Sequence, residues 1–460
     1  MALTKASYSM ITGAPVNVKD YGAIGDGTTN DATAIQAAIT AAQANFSGVF
    51  LPAGNYYCGS TGLTISASIH LFGENGAALS FAAGFSGAAI TINSTYVKLS
   101  DFVVSAPYSG VVPTSIAVNV LKAHCVVSRV RVEPTGTGTY HGFNIGLKLA
   151  EYSHSIVSCT ITGYTYGIYS NVASAVCLTG TGVSARNTVS GAGIYMGGGS
   201  GNSIQQCDIE GDSFAGIYLD DGGTTSSGAG SCAITGCYLE GQVNGIYILG
   251  SAVAGGVKGV AISGNFISSS GLVTALNGIV ATRVIGLAIT GNTINGYQTS
   301  GITIGALATN CLITANNIAV VGTAQIINLA ATGTFDTTGP NDEGTWTPID
   351  SSGASLTFTS PGGTYTKIGR MYFWQAALVY PATADGSNSL IGGLPAIIDS
   401  GVNSSGRSGG FISLTDSSAI QLMQLDNSTT VRPYKTGFVR ATNADLSGKT
   451  LYIAGSYFVA

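Results

Sequence analysis

Charge is the scarcest commodity in this 460-residue chain: Asp, Glu, Lys and Arg make up 8% of it, where an average soluble protein has about 25%. The 17 Lys and Arg residues form no cluster and the formal net charge is −5, which argues against nucleic acid and against an anionic lipid surface. Long apolar runs are missing as well. Gly, Ser, Thr or Asn interrupts every apolar stretch within a few residues, so no segment reaches the roughly 18 residues that a membrane helix requires. A water-soluble chain without membrane insertion is expected. The N-terminal MALTKASYSMITGAPVNV has no continuous apolar core and does not read as a secretory signal. Eight cysteines occur without a single CxxC pair, and the Cys232 to Cys237 spacing has no His beside it. All eight are expected to be buried free thiols made in a reducing compartment. No Ser/His/Asp spacing, phosphate loop or metal motif is present, so neither metal nor cofactor is expected.

What the chain has in excess is glycine, 66 residues, and an internal repeat. Six segments share Ile/Leu-x-x-Asn/Cys-x-Ile/Leu: they begin at Ile156, Ile204, Ile234, Ile262, Ile289 and Ile313, with a degenerate copy at Leu178. Successive starts lie about 22 to 30 residues apart, the length of one coil of a β-solenoid with loops of varying size. Weaker copies surround Leu99 and Val127. A second register follows each first one, Gly-Ile-Tyr at 167–169, 193–195, 216–218 and 245–247, continued as Gly-Ile-Val at 278–280 and Gly-Ile-Thr at 301–303. Each coil therefore supplies at least two short strands, and the spacing predicts an all-β parallel β-helix.

Alternation along a strand assigns the faces. Ile and the Asn/Cys position point inward, as an aliphatic ladder and a corner ladder in which Asn bonds its neighbour one rung away. Three outward columns follow. The first holds Thr160, Asp208, Tyr238, Phe266 and Thr293; the second holds Thr162, Ser184, Glu210, Glu240, Ser268 and Asn295; the third holds Tyr169, Tyr195, Tyr218 and Tyr247.

Upstream, residues 16–43 read as a strand, a Gly/Asp turn and a helix capped by Thr29, Asn30 or Asp31, with Ala34, Ile35, Ala38 and Ile39 on one face. Its expected task is to plug the open end of the solenoid. VNVKDYGAIGDGTTNDATAIQAAI followed by GVFLPAGNYY resembles the entry to the pectate-lyase-like right-handed β-helix of bacteriophage tail spikes and related polysaccharide-active proteins, and LTKASYSMITGAP resembles the lead-in of such helices. Asp20, Asp26 and Asp31 within it read as turn and cap formers. The repeat stops near 335. Beyond it, Trp346, the Tyr365-Thr366-Lys367-Ile368-Gly369 run and Gly393-Leu394-Pro395 are similar to the β-sandwich that closes many tail fibres and spikes. The expected organisation is a lead-in at 1–15, an N-terminal cap with the first rungs at 16–90, a parallel β-helix at 91–335 and a C-terminal β-sandwich at 336–460. The resemblance implies a homotrimer in a virion tail, in contact with other tail proteins and with bacterial surface polysaccharide, and an end domain for trimerisation or carbohydrate binding. With about fifteen residues ahead of the helix, no virion-attachment domain is expected.

Between 134 and 335 there are seven acids, Glu151, Asp208, Glu210, Asp212, Asp220, Asp221 and Glu240, and six of them fall in two adjacent coils. Glycoside hydrolysis needs two carboxyls, one protonated and one ionised, about 5 to 5.5 Å apart for retention or 6.5 to 9.5 Å for inversion. Stacked like charges raise a pKa and help to supply the acid. Glu210 and Glu240, with Asp208, Asp212 or Asp220, are the catalytic candidates. Tyr195, Tyr218, Tyr238 and Tyr247, with Asp221 and Arg186, are the substrate-binding candidates, since aromatic faces stack on sugar rings. The same acids also suit a plain solvated surface or a cation site, and the tyrosines suit packing against one another or a subunit interface. Two other activities stay open. A uronate lyase would draw on Arg129, Arg131, His141, Lys148, Glu151, His154 and Arg186; a non-catalytic adhesin would use the groove only to hold sugar.

Overall fold

The computed structural model describes residues 13–460 except 46, 109, 111–112, 139, 188, 212, 222–229, 251–255, 271–274, 320–323, 330–334, 337–341, 369–370, 395–408, 415–419, 426–428, 436, 438 and 459–460. Most of the lead-in, Asp212, Gly369 and Pro395 thus lie outside the described residues. The chain divides into two compact units, Met1–Phe335 and Asp336–Ala460.

The first unit is a right-handed parallel β-helix with three sheets of thirteen, twelve and eleven described strands. Each coil gives one strand to each sheet. The first sheet carries the leading Ile of the repeat, the second carries the closing Ile/Leu, and the third carries Gly-Ile-Tyr. Pairing follows the sequence register: Leu178, Ile204, Ile234, Ile262, Ile289 and Ile313 are successive partners in the first sheet. Val183, Ile209, Leu239, Ile267, Ile294 and Ile318 do the same in the second. All twelve are buried and form one continuous core.

Between first and second sheets the chain turns in two residues, the first left-handed. Gly180, Gly236, Gly264 and Gly291 hold φ between +55° and +64° there, and Ser158, Gln206 and Ala315 adopt the same conformation without glycine's freedom. The second turn residue faces inward. Asn265 and Asn292 each donate from the side-chain amide to the Oδ1 of the next Asn at 2.9 Å and to a strand carbonyl at 3.0 Å, so the buried corner polar groups are satisfied rung to rung. Cys159, Cys207 and Cys237 occupy that corner in earlier coils and are buried. The cysteines are all free, but Cys177 is exposed, contrary to expectation: it opens the strand Cys177–Thr179 at an outward position, and only Leu178 between them points to the core.

The Gly of the second repeat is a packing requirement. A Cβ on Gly245 would lie 2.3 Å from Ile267 Cγ2 and 2.6 Å from the Gly278 carbonyl oxygen, so the second sheet's Ile ladder presses directly on the third sheet's backbone.

The helix Ala32–Asn45 buries Ala32, Ile35, Ala38, Ile39 and Ala42 against the first coil. Gln36 mimics a strand: its amide donates to the Thr64 carbonyl at 3.0 Å and its Oε1 accepts the Thr64 N–H at 2.8 Å, closing the free edge of the third sheet. Asp31 accepts the N–H groups of Ile24 and Gly25 at 2.7 and 2.9 Å, and Asp26 accepts those of Thr28 and Thr29, which holds its carboxyl far below the usual range. Both are turn formers.

The second unit is an antiparallel sheet of ten described strands, nine along one path and one branching from it, folded on its own core, the sandwich expected from the sequence. Trp346 and Trp374 meet edge to face at 5.8 Å in that core, and the Trp346 indole donates to the Gln375 carbonyl.

Candidate functional site

The second sheet positions three carboxylates. Its strands Asp208–Glu210 and Tyr238–Glu240 are neighbours in register, so Asp208 faces Tyr238 and Glu210 faces Glu240 across one rung, about 4.8 Å. Ile209 and Leu239 between them anchor both strands in the core. Asp208 and Glu210 are exposed and Glu240 is half-buried. The Tyr238 hydroxyl donates to Glu240, and this bond pushes the phenol up to about 12. Partial burial, then the charge of Glu240, raises the Asp208 carboxyl. The charge of Asp208, then burial, then Glu240, raises Glu210. Backbone separations suit both classes of glycoside hydrolysis: about 5 Å for the facing glutamates, and about 8 Å for Asp208 to Glu240 on the diagonal.

The remaining candidates lie elsewhere. Tyr195, Tyr218 and Tyr247 line the third sheet as successive partners, continuing Tyr169. Their rings contact one another: Tyr169 and Tyr195 are parallel at 4.9 Å, and Tyr218 meets Tyr195 and Tyr247 edge-on, each at 5.2 Å. Tyr166 and Phe214 pack onto the flank of this half-buried array. Asp220 belongs to it, accepting from the Tyr195 hydroxyl at 3.0 Å; burial and then this carboxylate raise Tyr195 and Tyr218. Asp221 is fully buried. Arg186 is exposed in a turn of the preceding coil, and its charge, after burial, holds His141 low. The acidic and the tyrosine-rich surfaces are therefore two faces on two sheets.

The residues considered for a lyase are dispersed among ion pairs and carbonyl contacts. Arg129 forks onto Asp101, with its second bond at 2.9 Å; Arg131 pairs with Glu133 at 2.7 Å; Glu151 takes Lys122 at 2.9 Å and the Ala123 N–H at 2.8 Å. His141 and His154 are buried, bonded to the carbonyls of Gly163 and Ala150. Lys148 stands apart from these on the third sheet, one rung before Tyr169. Among the described residues, no group of three His, Cys, Asp or Glu side chains is arranged to hold a metal. Phe266, not among the site candidates expected from the sequence, stands directly after Tyr238 in the first outward column.

Comparison with known proteins bears on this architecture. Residues 15–254, more than half of the chain, match the family described as rhamnogalacturonase A/epimerase, pectate lyase-like. The chain belongs to that family. Residues 192–337 also match the right-handed beta helix region. Among solved structures, this pectate-lyase-like chain resembles the Dettilon tailspike protein, with a TM-score of 0.63 at 17% identity over 96% of this chain and 94% of that one. It resembles the DFA-IIIase of Arthrobacter chlorophenolicus A6 with a TM-score of 0.50 at 13% identity, over 69% of this chain and 85% of that one. These likenesses concern the fold. A stretch of 64 residues is 52% identical to mannuronan C5-epimerase AlgE1 of Azotobacter vinelandii, 12% of this chain and 5% of that protein. The chain thus spans about a twentieth of the curated relative it matches.

Proposed function

We propose that this pectate-lyase-like β-helix is a phage tail spike, acting as a homotrimer, that binds a bacterial surface polysaccharide and cleaves it by glycosidic hydrolysis. The observation that carries the reading is the face shared by Asp208, Glu210 and Glu240: three carboxyls on two adjacent rungs, two of them raised by their neighbours' charge and by partial burial. A raised carboxyl suits the general acid, and Glu240, oriented by the Tyr238 hydroxyl, suits the base or nucleophile. The fold shared with a tailspike protein and the family's name support polysaccharide as the substrate class. Hydrolysis is favoured over elimination because Arg129, Arg131 and Glu151, which a lyase would use, are committed to ion pairs.

The test is incubation with purified capsular and O-antigen polysaccharides, following new reducing ends and the ultraviolet absorbance of an unsaturated uronate. Reducing ends without that absorbance are expected, with Glu210→Gln and Glu240→Gln each losing about 10²- to 10⁴-fold in rate. Product stereochemistry by NMR then assigns the pair: retention points to Glu210 with Glu240, inversion to Asp208 with Glu240. Unchanged rates in both variants, or growth of the absorbance, would refute hydrolysis at this face. Binding without cleavage would make the protein an adhesin.

A further inference from the structure

One coil beyond the carboxylates, the same outward column continues from Tyr238 to Phe266. The two rings are parallel within 3°, with centroids 5.4 Å apart, and both side chains are more than a third exposed. Elsewhere this column carries small or polar residues, with Thr160 and Gly182 before the site and Thr293 and Asn317 after it. Tyr238 backs one side of the Phe266 ring, and the next rungs offer nothing large enough to cover the other. An exposed, preformed aromatic surface without a local packing role is unusual on so polar a sheet. It lies along the helix axis from the carboxylates, within about 10 Å or two rungs.

The electrostatics around it have one sign. From Asn187 to Val257 the chain contains no Lys, Arg or His, yet it holds six acids. The second sheet's two outward columns, from Thr160 and Thr162 to Asn317 and Ala319, present three carboxylates and no cation. On the preceding side Arg131 is paired with Glu133, and Arg186 is exposed in the coil before the carboxylates, outside these two columns. A uronate, sulfate or phosphate placed on these columns would meet like charge with no cation in them to neutralise it, which is rejection by repulsion. An uncharged sugar instead offers a C–H face to the ring and hydroxyl donors to the carboxylates, and an amino sugar adds a charge-assisted donor.

We propose that Phe266, backed by Tyr238, is a sugar-stacking subsite, and that the polymer lying on this face has neutral or amino-sugar units there and no acidic ones. This rests on the reading of the carboxylate face as the place where glycan binds, and it separates this chain's substrate from the uronate polymer named by its epimerase relatives.

The experiment is a printed array of purified bacterial polysaccharides spanning neutral, amino-sugar, uronate and phosphate repeats, probed with wild type, Phe266→Ala, Phe266→Trp and Glu210→Gln. Wild type is expected to retain neutral or amino-sugar repeats. Phe266→Ala should lose at least tenfold in affinity at an unchanged melting temperature and oligomeric mass, and Phe266→Trp should keep it. The proposal is overturned if Phe266→Ala binds like wild type, if it changes the oligomeric mass, if wild type retains only acidic repeats, or if it retains none of the array. Binding and cleavage fail separately: loss of binding in Phe266→Ala with full cleavage by Glu210→Gln sinks the catalytic role of Glu210 alone. Loss of cleavage in Glu210→Gln with full binding by Phe266→Ala sinks the subsite alone.

Discussion

Replacing Glu210 by Gln should make the protein more stable while it removes the proposed hydrolytic activity. Glu210 faces Glu240 across one rung and sits two residues from Asp208, so each neighbour's charge is roughly 5 to 7 Å away. In water-like surroundings each repulsion is about 0.6 to 0.8 kcal/mol before salt, and physiological salt with a Debye length of about 8 Å leaves roughly half. Removing the charge of this largely exposed group is therefore worth about 0.5 to 1 kcal/mol, or one to two degrees of melting temperature in a chain of this size. The pH dependence has a definite sign. Because the folded state raises the Glu210 carboxyl, the native protein holds that proton more tightly than the unfolded chain does. The penalty is absent below the unfolded value, near 4, and complete once the pH exceeds the folded one. Melting curves of both proteins at pH 7 and pH 3.5, each with and without 1 M NaCl, should show a gain for Glu210→Gln at pH 7 that shrinks in salt and vanishes in acid. A loss at pH 7, or an equal gain at both pH values, would refute the repulsion and with it the source of the proposed catalytic acid.

Other substitutions probe the scaffold. Asn292→Ala removes the acceptor for the buried Asn265 N–H and amide, and should cost about 2 to 3 kcal/mol in chemical denaturation of the β-helix. At the tight corner, Ala315→Gly should stabilise by about 1 kcal/mol and Gly291→Ala should destabilise by a similar amount. Both positions are left-handed, and nothing lies within 4 Å of a Cβ at Gly291, so backbone strain alone sets the sign; paired denaturant midpoints test it. Gly278→Ala places a Cβ 2.4 Å from Ile294 Cγ2 and 2.6 Å from the Gly301 carbonyl oxygen, and should cost about 1 to 3 kcal/mol, with faster amide exchange in the coils on either side.

The rung register was legible in the sequence because a strand's two faces alternate strictly and each coil repeats the same inward pair. The partners Glu210 with Glu240 and Tyr195 with Tyr218 are where that register puts them. The corner ladder was legible too, since an Asn facing inward has only the next rung's Asn and the strand carbonyls to bond. Gly180, Gly236, Gly264 and Gly291 directly before the corner residue were a further signal of the left-handed turn. Cys177 misled because Leu178-x-x-Thr181 is a degenerate repeat and the thiol stands one place before its inward Leu.

The sequence by itself determined the coil, its inward ladders and the membership of each outward column, because these depend only on a period of two along the strand and on one coil's length. It could not determine which columns share a surface. That depends on where the chain turns between sheets, and the tertiary structure alone put the acidic strand and the tyrosine strand on different sheets. Asp208, Glu210 and Glu240 consequently face solvent beside Tyr238 and Phe266, while Asp220 serves the tyrosine array on another sheet.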